Sequence, residues 1–175
     1  WNTLKNIEPD DWIIINDIDE IPNLKNVNFE EVRNKFIIFK QQIFYYKFNL
    51  LYPNVYWHGS KACKKINFLL PQWLRNIKHK KYPLWRLDIM FSKRKYNNIF
   101  YISNGGWHFT NIKSPDDIEK KLLNYTHHYE FEQSGLTIAD LRKKILEKKI
   151  IYDHSVDQRE FKWKSEKTLT KIELS

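Results

Sequence analysis

Apolar and polar positions alternate along this chain in two different rhythms. Near its start, Trp12-Ile-Ile-Ile-Asn16 is a short continuous apolar run flanked by acidic residues, the pattern of a strand covered on both faces. Asn28-Phe-Glu-Glu31 has the cap residue and third-position acid that open a helix, predicted here to run through Lys35. Phe36 to Leu51 is aromatic and β-branched and predicts one long strand or two paired ones, including Ile43–Phe48. Pro53 and Asn54 predict a turn before Tyr56-Trp57-His58. Ile99–Ser103 reads as another strand, followed by the only Gly-Gly pair and then Trp107-His-Phe-Thr110.

The last third changes period. Ser114-Pro-Asp-Asp117 combines a cap, a first-turn proline and an acid, and Ile118, Leu122 and Tyr125 recur at helical spacing after it. Thr137 and Asp140 open a further helix, with Ile138, Leu141 and Ile145 on one face and Lys143, Lys144, Lys148 and Lys149 near its end. Beyond Asp153 the chain is polar and is predicted to pack loosely. Strands followed by helices predict an α/β fold, a mixed sheet with C-terminal helices, in one domain over residues 1–153 with a polar tail over 154–175.

Composition narrows the function classes. Of 175 residues, 42% are hydrophobic, enough for a sizeable core and too many for a disordered chain. Cys63 is the single cysteine, so an intrachain disulfide and an all-cysteine metal site are both excluded. No apolar run approaches the roughly 20 residues that span a bilayer as a helix, and the start lacks the pattern of a signal peptide. The net charge of +9 favours anionic partners. Between Lys61 and Lys95 stand eleven basic residues and one acid, Asp88, so this stretch carries the whole positive excess. It reads either as a solvated basic face or as a landing surface for phosphates, with Trp73, Tyr82, Trp85 and Tyr96 interleaved.

The sharpest chemical feature is Asn16-Asp-Ile-Asp-Glu-Ile-Pro22, directly after the first strand. In extended backbone Asp17 and Asp19 project side by side, and two such carboxylates call for a cation between them, Mn²⁺ or Mg²⁺ by ligand type. The bland alternative is an acidic turn. Gly105-Gly-Trp-His108 comes second: the glycines allow close backbone approach, and His108 is either a ligand to metal or phosphate or a buried structural histidine. Cys63 sits among lysines that lower a thiol pKa, yet no partner histidine can be assigned, so it reads as inert. No zinc-type histidine spacing, Walker loop or dinucleotide fingerprint is present.

Asp11-Trp-Ile-Ile-Ile-Asn-Asp-Ile-Asp-Glu-Ile-Pro22, Phe44-Tyr-Tyr-Lys-Phe-Asn49, Trp57-x-Gly59, Leu74-Arg75 and Gly105-Gly-Trp-His-Phe-Thr110 occur in an order that resembles glycosyltransferase family 17. So does Ser114-Pro-Asp-Asp-Ile-Glu-Lys-Lys-Leu122 with Tyr125 and His127, and the similarity runs from Asp11 to Lys149. The family includes β-1,4-mannosyl-glycoprotein 4-β-N-acetylglucosaminyltransferase. The resemblance implies a GT-A-like nucleotide-sugar fold, UDP-GlcNAc as donor, a glycan acceptor, a divalent metal and inversion at the anomeric carbon. It implies metal ligation by Asp17, Asp19 and His108, catalytic roles for Asp19 and Glu20, and substrate contacts from Asn49, Trp57, Arg75, Gly106 and Trp107. For the base, Asp88 and Asp116 stand as alternatives to Glu20.

Family members carry a substantial segment before the paired aspartates, whereas sixteen residues precede Asp17 here. The chain is therefore expected to lack an N-terminal part that holds the nucleotide base. A cytoplasmic bacterial or viral relative is the expected setting, with the Golgi lumen requiring an N-terminal anchor. Two other readings compete. One is a nucleic-acid-binding or metal-dependent nuclease domain using residues 61–95, although nucleic acid is not the expected partner. The other is a glycan-binding module using Trp57, Trp73 and Trp107 as sugar platforms.

Overall fold

The computed structural model describes residues 4–80, 82–83, 85–89, 91–124, 128–156 and 159–173. Lys81, one of the eleven basic residues between Lys61 and Lys95, lies outside them, as do Tyr125 and His127. The strands among the described residues are β1 (Trp12–Ile15), β2 (Glu20–Pro22), β3 (Phe36–Phe39), β4 (Gln41–Tyr45), β5 (Leu50–Trp57), β6 (Lys61–Lys64), β7 (Ile99–Ile102), β8 (Gly106–Thr110) and β9 (Thr170–Lys171). The helices are α1 (Pro71–Arg75), α2 (Pro115–Asn124), α3 (His128–Ser134), α4 (Ile138–Leu146) and α5 (Arg159–Lys162). The fold is mixed α/β with C-terminal helices, as expected. The chain divides into two compact units, Trp1–Gln41 with Tyr56–His108, and Gln42–Val55 with Phe109–Ser175.

In the first unit, four strands form a sheet in the order β1-β6-β3-β7. Ala62 of β6 lies opposite both Ile14 and Ile37 in antiparallel register, while β3 pairs in parallel with β7. Strands β1, β3 and β7 therefore run in one direction and β6 in the other. Strand periodicity divides β3 between two cores. Phe36 and Ile38 pack with Cys63, Leu74, Ile77 and Ile99, and Ile37 and Phe39 pack with Val32, Ala62 and Ile102. All four β3 side chains are almost wholly buried, each worth about 1.5–3 kcal/mol in transfer free energy before entropic costs. Helix α1 begins with Pro71 at a position needing no amide donor, and seats Leu74 in the first of these cores.

Two expectations for this unit are corrected. The strand fully buried on both faces is β3; β1 stands at the sheet edge, where only Ile13 is buried, although Trp12 and Ile14 pack against one core and Ile15 against the other. A continuous apolar run marks apolar neighbours on both faces but not which strand is central. Residues 28–35 form a turn rather than a helix, with Glu31 N–H donating to Asn28 O. Phe36 already belongs to β3, so no second helical turn can follow.

In the second unit β8, β4, β5 and β9 are hydrogen-bonded in that order, β4, β5 and β8 having residues in both units. Its core includes Tyr45, Tyr52, Ile118, Leu141, Ile150 and Ile151. Ser114 Oγ caps α2 by accepting from Asp117 N–H, and Thr137 with Asp140 forms a reciprocal capping box on α4. Pro53 and Asn54 lie inside β5 rather than in a turn. β9 pairs with β5 only at Leu50 and Leu51, so the missing proline amide breaks no bond to that neighbour, and Asn54 takes the left-handed conformation at φ 62°. Loose packing after Asp153 is corrected for the described residues: Trp163 and Leu169 are buried anchors and Thr170–Lys171 adds a strand. Apolar anchors spaced that far apart give no periodic signal.

Candidate functional site

The common direction of β1, β3 and β7 brings their carboxyl ends to one edge of the first sheet, and β6 starts from that same edge. Phe39 N–H donates to Ser60 O, Lys40 N–H to Ile102 O and Gly105 N–H to Lys40 O, tying these segments together. In open α/β sheets this is the edge where ligands bind.

β1 leaves the sheet through a turn. Glu20 N–H donates to Asp17 O at 3.1 Å, and the Asn16 amide donates to the Glu20 and Asp17 carbonyls at 3.0 Å each. Ile18 at the tip is fully exposed. The expectation that Asp17 and Asp19 project side by side from extended backbone is corrected, because the chain reverses between them. Each carboxylate then meets a different partner. Asp17 forms a two-point ion pair with Arg75, Nη1–Oδ1 2.6 Å and Nη2–Oδ2 2.7 Å, the fork geometry that makes such pairs strong. Asp19 lies 3.9 Å from His108 Nδ1 and is 41% exposed.

Glu20 is the buried centre of the edge. Trp57 Nε1–H donates to its Oε1 at 2.6 Å, while Asp17 N–H at 3.1 Å and Ser60 Oγ–H at 3.3 Å donate to Oε2. Gln41 Nε2–H in turn donates to Ser60 Oγ at 3.0 Å and reaches Trp107 O at 3.4 Å. A buried carboxylate is tolerated only with partners of this kind. Glu20 lies directly opposite His108 in the antiparallel β2–β8 pair, so the two side chains share a face. His108 is buried and stacks on Trp57, centroids 4.7 Å apart and planes 17° from parallel.

Two glycines make room for this. A Cβ on Gly59 would stand 1.8 Å from Glu20 Oε1 and 2.2 Å from Trp57 Nε1. Gly106 has φ +122°, and a Cβ there would fall 2.0 Å from Ile21 O. Trp107, opposite Ile21, is more than one-third exposed.

Lys61 flanks the cluster. Its buried ammonium donates to the carbonyls of Arg75 and Ile77, the latter at 2.7 Å. Burial lowers its pKa to about 8, with Lys78 and Arg75 acting in the same sense and Glu20 opposing. His58 stacks on His79 at 4.4 Å, and burial, His79, Lys40 and Lys61 lower the pKa of His58 to about 4. The lysines near Cys63 do not make it reactive: burial pushes its thiol up to about 12, against a small opposite pull from Lys35.

Of the residues singled out in the sequence, Asp17, Asp19, Glu20, Trp57, Arg75, Gly106, Trp107 and His108 all belong to the first unit. Asn49 belongs to the second, where its carbonyl accepts from Ile172 N–H. The alternative bases are held in ion pairs, Asp88 with Arg86 and Lys95, and Asp116 with Arg142. Gln41, Ser60 and Lys61 were missed. Gly59 was the only nearby signal, and a lone glycine does not announce a buried carboxylate beside it. Among the described residues no group of three or more His, Cys, Asp or Glu is arranged to hold one metal ion, and no helix is long and apolar enough to cross a membrane.

No family model, curated protein or solved structure matches this chain.

Proposed function

We propose that this chain is a metal-dependent, inverting glycosyltransferase domain that moves N-acetylglucosamine from UDP-GlcNAc to a glycan acceptor. One observation carries the reading. Asp19, Glu20, Trp57, Arg75 and His108 come from four separate motifs, yet they gather at one sheet edge through direct contacts with one another or with Asp17. The motif order of the family has no physical reason to bring these particular residues together in an unrelated protein.

In this reading Asp19 and His108 hold Mn²⁺ or Mg²⁺. The carboxylate oxygen suits either ion, whereas the imidazole nitrogen 3.9 Å away favours Mn²⁺ over Mg²⁺, which takes oxygen ligands; these two side chains would hold the cation toward the diphosphate. The cation, when bound, supplies charge neutralisation at the departing diphosphate. Asp17 engages both Nη atoms of Arg75 and holds the half-exposed guanidinium in a fixed orientation, so that only its remaining N–H groups are offered to a phosphate. Trp107 offers an exposed ring on which a sugar can stack. Glu20 already accepts three hydrogen bonds and is buried, so it positions Trp57, on which His108 stacks, rather than meeting substrate.

The test is UDP release from UDP-GlcNAc with a mannose-containing glycan present, in Mn²⁺ and in chelator. The expected outcome is Mn²⁺-dependent turnover that falls by about a hundredfold or more in Asp19→Asn, the scale of losing a transition-state electrostatic contact. Chelator-resistant turnover, or Mn²⁺-dependent cleavage of nucleic acid without sugar transfer, overturns the reading.

A further inference from the structure

The segment 82–95 belongs to the first unit but takes no part in the edge cluster. Its base is cinched: Lys78 N–H donates to Arg94 O at 2.8 Å, and Trp73 Nε1–H donates to Lys93 O at 2.7 Å. Consecutive tight turns follow one another inside it, Arg86 N–H to Pro83 O, Ile89 N–H to Arg86 O and Ser92 N–H to Ile89 O. Asp88, the only acid in the segment, is neutralised by Arg86 and Lys95. This segment exposes three large apolar side chains: Trp85 is 79% exposed, Leu87 70% and Phe91 88%. Single exposed apolar residues are ordinary, but three large ones within seven positions of one short segment concentrate apolar surface there. Exposed Lys78, Lys80, Lys93 and Arg94 flank them in sequence.

We propose that this segment docks the protein on an anionic phospholipid surface. Charge complementarity selects this occupant. Seven Lys and Arg stand against one Asp between residues 78 and 95. Lysine is depleted at interfaces with other proteins, whereas membrane-surface segments combine Trp, Leu and Phe with Lys and Arg. Trp85, Leu87 and Phe91 enter the headgroup boundary, and the cations meet lipid phosphates and carboxylates. Binding of this kind is peripheral and needs no spanning helix.

The experiment is flotation of the 175-residue chain with vesicles of phosphatidylcholine alone or with about one-third phosphatidylserine. Binding is expected only with phosphatidylserine, weakening as salt rises. The variant Trp85→Ser/Leu87→Ser/Phe91→Ser is expected to bind about tenfold or more weakly with its melting temperature unchanged, since no core contact is lost. Lys93→Glu/Arg94→Glu is expected to weaken binding to the anionic vesicles in the same way. Leu146→Ser, 83% exposed in the second unit, is the control and is expected to bind as wild type. Equal binding by the triple variant, an equal loss in the control, or no vesicle binding at all overturns the proposal. So does a dimer of the wild-type chain that the triple substitution converts to monomer without any effect on vesicles.

Discussion

Gly59 and Glu20 show how little space separates a working arrangement from a clash. The buried Glu20 side chain is held in place by hydrogen bonds from Trp57, Ser60 and the Asp17 amide. The approach of Trp57 passes through the volume that any side chain at residue 59 would fill. Gly59→Ala is therefore expected to drive Glu20 off Trp57 and to cost about 1–3 kcal/mol, the range of core overpacking. Urea denaturation measures it, and near-ultraviolet circular dichroism should show the altered Trp57 environment. Wild-type stability in this variant would mean that the Glu20–Trp57 pair is not what fixes this edge.

A different kind of interaction holds the C-terminal elements of the second unit. Asp153 is buried and accepts from Tyr52 Oη–H at 2.7 Å and from the Ser155 amide and hydroxyl, while Lys167 pairs with it at 2.7 Å. Burial alone raises its pKa, but the hydrogen bonds from Lys167, Ser155 and Tyr52 outweigh burial and hold the carboxyl well below the ordinary range. A depressed folded-state pKa contributes stability that is present above the unfolded value, near pH 4, and lost as pH falls through the folded value. Asp153→Asn is thus expected to lower stability at neutral pH and to flatten its decline below about pH 4, followed by denaturation midpoints across that window. An unchanged acid slope would place the acid sensitivity elsewhere.

Elements whose signal is local were legible in the sequence, and those fixed by distant partners were not. The caps at Ser114–Asp117 and Thr137–Asp140 announce α2 and α4 because cap and first turn are neighbours in sequence. The same kind of pattern at Asn28–Glu31 gives only a turn, since β3 claims the chain at Phe36. Helix α3 carries a single buried residue, Phe131, too little for a periodic pattern. Strand β1 could be found but not assigned to an edge, because sheet order is a property of the whole set of strands. In the candidate site the residue identities were legible and their grouping was not. Their spacing in sequence makes Asp17 and Asp19 a pair sharing one cation, whereas the turn at 17–20 gives Asp17 to Arg75 and leaves Asp19 beside His108. Arg75 lies 58 residues from Asp17, and no local rule reports a partner at that distance.

At the scale of the molecule, the net charge of +9 resides in one stretch that the structure divides into different tasks. Lys61 is buried among carbonyls, Arg75 is committed to Asp17, Lys64 pairs with Asp10, and Arg86 and Lys95 neutralise Asp88. Lys78, Lys80, Lys93 and Arg94 face solvent. The claim that Asp19 and His108 form the metal end of a nucleotide-sugar site is tested most directly by calorimetric titration of UDP-GlcNAc into the 175-residue chain, with Mn²⁺ and with chelator, in wild type, Asp19→Asn and His108→Ala. The account predicts binding that requires Mn²⁺ and weakens by about tenfold or more in each variant, as loss of a metal ligand or its support does. Binding that is indifferent to chelator and to both substitutions, or no binding by a folded wild-type chain, would contradict it.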